Sequence, residues 1–101
     1  MDMNKMLKQA QQMQNRMQKV QQEIAVKQFE GQAGGGAIKA VATGEGSLVS
    51  IKIDPSIVKD GDVEMLEELV VLAVGEAIEK GKAEMQAELS KMTGGMRIPG
   101  F

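Results

Sequence analysis

Between Met3 and Ile24 the apolar residues Met3, Met6, Ala10, Met13, Met17, Val20 and Ile24 follow one another at alternating steps of three and four. That spacing draws one narrow apolar seam along a helix, and a seam so narrow is completed by another helix. The positions between are mostly Gln, so the outer face is polar without being acidic. Lys5, Lys8, Arg16 and Lys19 stand against Asp2 alone through residue 22, a local charge of +3 in a chain whose net charge is −2. Residues 1–24 therefore read as a basic helical arm on an otherwise acidic body.

The 101 residues form a single domain, 1–101, near the size where one hydrophobic core is adequate but thin. Long helical arms leave little chain for that core, so a homodimer is expected. The absence of His and Cys removes His-based triads, imidazole or thiolate metal sites and disulfides. The carboxylate pairs Glu67 and Glu68, or Glu84 and Glu88, read as solvated helix charges. No catalysis, cofactor, metal or small-molecule substrate is expected. Phe29 and Phe101 are the only aromatics, which argues against a stacking platform for single strands. No apolar signal core opens the chain, and the longest apolar run, Leu69 to Val74, is too short to span a membrane, so a soluble intracellular protein is expected.

Residues 26–33 read as a strand, closed by Gly34-Gly35-Gly36. Ile38 to Thr43 alternate with period two, Gly44-Glu45-Gly46 makes a short turn, and Val49, Ile51 and Ile53 alternate again with one face inward. The Gly-rich connections are too short for parallel crossovers, so residues 26–54 give a three-stranded antiparallel sheet. Gly34-Gly35-Gly36 is a plain turn and not a phosphate loop, since no Lys-Ser or Lys-Thr follows and the next element is a strand. Asp54-Pro55-Ser56 ends the sheet. Asp62 is a candidate N-cap for a helix over about 62–92, with Glu64, Glu67 and Glu68 at its positive end. Its first half is apolar almost all round; its second half carries one stripe, Ile78, Gly81, Met85, Leu89 and Met92, matched to the seam of the first helix. Gly75 and Gly81 inside it point to close backbone approach. Residues 93–101, with Gly94-Gly95, Pro99 and no periodicity, read as a flexible tail.

Packed together, the two helices are antiparallel, with their far ends meeting so that Lys5 and Lys8 approach Lys91 and Arg97. Residues 62–79 hold six acids and no base, whereas Lys80, Lys82, Lys91 and Arg97 lie beyond. Such basic tips attract a polyanion despite the acidic total.

Several stretches together resemble the YbaB/EbfC family of small bacterial nucleoid-associated DNA-binding proteins, over nearly the whole length. They are Met6-Leu7-Lys8-Gln9-Ala10 and Met13 to Met17, Ala33-Gly34-Gly35-Gly36-Ala37-Ile38-Lys39, Ile51-Lys52-Ile53-Asp54-Pro55, Met65-Leu66-Glu67-Glu68-Leu69-Val70, and Gly94-Gly95 with Pro99-Gly100. Gly75 departs from the pattern, standing where the family usually has Asn. The resemblance implies an α+β homodimer shaped like tweezers, each protomer a helix, a three-stranded sheet and a long helix. It also implies duplex-DNA binding through the arms, and a role in nucleoid organisation and gene regulation in the bacterial cytoplasm. The expected phosphate contacts are Lys5, Lys8, Arg16 and Lys19 on the first arm and Lys82, Lys91 and Arg97 on the second. The competing class is a protein-interaction module, because two Met-rich helices joined through strands also resemble the layout of prefoldin-like chaperones.

Overall fold

The computed structural model describes residues 2–59 and 61–92. Six elements follow in order: α1 (Met3–Val26), β1 (Gln28–Ala33), β2 (Ile38–Thr43), β3 (Leu48–Ile53), the short α2 (Pro55–Val58) and α3 (Val63–Met92). The strands form an antiparallel sheet in the order β1-β2-β3, as the short glycine connections require. The expected flexibility of the tail, and the position of Arg97 within it, fall outside the described residues.

The N-cap of α1 is Asp2, whose carboxylate accepts the Asn4 N–H at 3.1 Å. The helix runs two residues past Ile24, so Val26 and Lys27, expected in the first strand, are its last residue and its C-cap. The cause is at the sheet end. Gly44 donates its N–H to the Lys27 carbonyl at 3.0 Å and Glu45 to that of Ala25 at 3.3 Å, so the β2–β3 turn satisfies the end of the helix. A Cβ on Gly44 would overlap the Ile24 carbonyl.

One face of the sheet packs beneath α3, which lies over β1 and β2. Ile38, Ala40 and Ala73 are fully buried there, with Ala33, Ile51, Ile57, Leu66, Leu69, Val70 and Val74 around them. The helix sits unusually close. A Cβ at Gly31 would overlap the Ala73 carbonyl oxygen, so the glycine that weakens β1 as a strand is what lets α3 touch its backbone. Gly81 does the same against Gly44 and the Phe29 ring, where its Cβ would lie 3.1 Å from the Gly44 Cα. Gly75 does not, for nothing lies within 4 Å of its Cβ position.

Two expected faces differ in detail. Of Val49, Ile51 and Ile53, only Ile51 is half-buried, because β3 is an edge strand and the register shifts between Val41 and Ala42. Of the apolar run in α3, Leu69, Val70, Ala73 and Val74 turn to the sheet, while Val71 and Leu72 remain 70% and 62% exposed.

Candidate nucleic-acid interface

Beyond the sheet α1 and α3 run side by side in opposite directions. Met17, Val20 and Ile24 of one seam are partly or fully buried, as are Gly81, Met85, Leu89 and Met92 of the other. At the root, Lys27 Nζ meets Glu84 at 2.6 Å and lies 5.6 Å from the centroid of the Phe29 ring. Both groups stay partly exposed, so this pair contributes about 0–1 kcal/mol and acts mainly as a locator.

The helices are unequal past this root. Ile24 and Gly81 both touch Gly44, so they stand at one level. Counting outward at ~1.5 Å per residue, Met92 comes level with about Met13, and Lys8 lies roughly 9 Å farther out than Lys91. Lys5 and Lys8 therefore overhang the described end of α3 and do not meet Lys91 there. Met3 and Leu7 on this overhang are 75% and 59% exposed, and Met6 and Met13 are exposed as well.

The cations of α1 share one side. Positions 5, 8, 16 and 19 fall within a sector of roughly 80° on a helix of 3.6 residues per turn, with Gln12 on the same line. Among the described residues, none of Lys5, Lys8, Arg16 and Lys19 has a carboxylate within 4 Å. They form a stripe about 21 Å long, parallel to the seam but turned away from it. On α3, by contrast, Lys82 and Lys91 project about 180° apart, so both cannot extend that stripe. Lys82 has no carboxylate partner among the described residues, whereas Lys91 pairs with Glu88 at 3.3 Å. Lys80, also counted toward the basic end, is tied to Glu76 at 3.2 Å and donates to the Glu30 carbonyl at 2.8 Å. The sequence thus locates the positive arm, and within α3 the carboxylates three and four residues before Lys91 and Lys80 decide which of its cations are paired.

No group of three or more His, Cys, Asp or Glu among the described residues is arranged to hold a metal ion. Among them, no helix is long and apolar enough to cross a membrane.

A two-helix arm, with a line of cations that have no carboxylate partner among the described residues, rooted in a small antiparallel sheet, defines the class of α+β protein to which the chain belongs. The chain matches the YbaB/EbfC DNA-binding family over residues 1–96 and belongs to it. A nucleoid-associated protein of Thermoanaerobacter pseudethanolicus is 48% identical over 100 residues, covering 99% of this chain and 90% of that one. One from Clostridium acetobutylicum is 43% identical over 100 residues, with coverage of 99% and 89%. In the crystal structure of an uncharacterised protein from Helicobacter pylori the same fold recurs at a TM-score of 0.75 and 18% identity, covering 92% of this chain and 98% of that one. The names carried by the family and its members are those of DNA-binding proteins, not of enzymes.

Proposed function

We infer that the chain is a non-catalytic nucleoid-associated protein that binds double-stranded DNA as a homodimer, holding phosphates with its helical arms. The stripe of Lys5, Lys8, Arg16 and Lys19 carries the reading: four cations without carboxylate partners among the described residues, on an arm that stands clear of the acidic body. Lys82 and Lys91 add positive charge from α3, and Arg97 from the chain that follows it, with Lys91 exchanging its surface pair with Glu88 for phosphate. The homodimer is supported by Val71 and Leu72, exposed on α3 beside Gly75 and lining a shallow hollow together with Glu67 and Glu68. A second copy laid on this face covers them. The relatives' names support a location at the bacterial nucleoid, in the cytoplasm; a role in its organisation and in gene regulation is what duplex binding there would serve.

The exposed Met3, Met6, Leu7 and Met13 favour a second reading, in which the arm tips grip unfolded chains as a prefoldin-like chaperone does. Salt separates the two. Duplex binding through phosphates gives log affinity falling linearly with log salt, with a slope near −0.9 per neutralised phosphate. In a mobility-shift series on a short duplex, Lys8→Ala and Lys91→Ala each reduce the slope by roughly one unit for every phosphate no longer held, about equally on unrelated sequences. Salt-insensitive suppression of aggregation with no DNA shift would establish the chaperone instead.

A further inference from the structure

The face of the sheet turned away from α3 carries a second set of cations that the arm does not include. The strand register sets Gln32 opposite Lys39, and Lys39 opposite Lys52, so one row crosses all three strands. All three residues are exposed. Two like charges directly opposite on neighbouring strands repel and destabilise the pair. Nothing relieves them: neither Lys39 nor Lys52 has a carboxylate within 4 Å among the described residues. The acids nearest in the pattern, Glu30 and Asp54, accept from Gln32 Nε2 at 2.8 Å and from the Ser56 N–H at 2.9 Å and form no ion pair with either lysine. An anion lying across the row would remove the repulsion, and no aromatic side chain is in it to suit a base instead.

The row is remote from the arm stripe. From Lys19 down to Ile24 and then along β2 from Gly44 to Lys39 is roughly 24 Å, and from Lys8 roughly 40 Å. On α1 and the strands the interval carries Glu23, Glu45 and Glu30, with Lys27 held by Glu84, and Lys80 of α3, which reaches the Glu30 carbonyl, is held by Glu76. Glutamates therefore separate the two basic surfaces, which lie farther apart than the width of one major groove, about 12 Å.

We propose that Lys39 and Lys52 form a second phosphate-binding site, taking the backbone of a separate DNA segment, so that one molecule bridges two duplexes. This rests on the arms holding the first duplex. The test uses the full chain with a bead-tethered duplex and a labelled duplex in solution, measuring capture of the second by the first. The variant is Lys39→Gln with Lys52→Gln, at two exposed positions where removing the repulsion leaves the melting temperature equal or higher. Its affinity for the second duplex falls about thirtyfold at 0.15 M salt, as for two phosphates no longer neutralised, each with a slope near 0.9. Its salt slope on a single short duplex is unchanged. Wild-type capture retained in the variant overturns the proposal, as does a wild type that captures nothing. A short-duplex slope reduced along with capture also overturns it, because the row would then belong to the arm's own interface. Failure of the arm reading is separately visible, as an unchanged short-duplex slope in Lys8→Ala.

Discussion

Gly31 shows how a single missing side chain fixes the position of a whole helix. In sequence it interrupts a strand; in the fold its Cα is the surface on which Ala73 and Ala77 rest. Gly31→Ala has no flexible neighbour to displace, only the backbone of α3, so its cost should exceed the ~1–3 kcal/mol usual for an overfilled core. Urea unfolding measures it, and a midpoint equal to wild type would show that the helix stands off the sheet. Asp54 acts at the same scale through charge. The Ser56 backbone N–H, and then its side chain, hold this carboxyl below its ordinary value. A carboxyl lowered on folding stabilises the fold above the unfolded-state range near 4, and that contribution is lost as pH falls through the lowered value. Asp54→Asn removes this titration, and melting curves taken from pH 5 downward should lose stability less steeply than wild type.

For α3 as an element, the neighbouring residues Val70 and Leu72 separate folding from assembly. Val70 packs against the core beneath the helix, while Leu72 points outward. Val70→Asp buries an unpaired charge and should cost several kcal/mol, unfolding the protomer itself. Leu72→Asp should leave helical content intact by circular dichroism while light scattering falls from twice 10.9 kDa to one chain. If Leu72→Asp stayed dimeric, the second copy would have to sit elsewhere than on the Val71–Leu72 face. A second copy on that face would also give Gly75 a purpose, since among the described residues of the protomer nothing lies within 4 Å of its Cβ position.

The molecule measures 70 × 21 × 16 Å, with a radius of gyration of 19.4 Å where a compact domain of 100 residues has about 13 Å. Its core lies at one end, and the first half of α1 contributes nothing buried to it. A chain beginning at Met17 should therefore keep the sheet and α3, melt within a few degrees of wild type, and lose duplex affinity with the cations at 5, 8 and 16. Collapse of that truncated chain would mean that the overhang is held by interactions the fold depends on.

Periodicity is a local property, and what it can specify was specified: the seam of α1, the period-two strands, the antiparallel order forced by short glycine turns, and α3 from Val63 to Met92 were all legible in the residues. The family was legible too, because its signature lies in contiguous stretches. The basic character of the arm followed from a count of charges along one helix. What the sequence could not decide depends on distances between elements. The level at which α1 meets α3 is set by Gly44 against Ile24 and Gly81, and it leaves Lys5 and Lys8 beyond Lys91. That Lys80 also reaches the Glu30 carbonyl depends on how α3 lies across β1. Lys39 and Lys52, thirteen residues apart, become neighbours only through strand pairing. Likewise, an apolar run such as Leu69 to Val74 does not say which of its members face the sheet; that was settled by the side on which Gly31 let the helix descend.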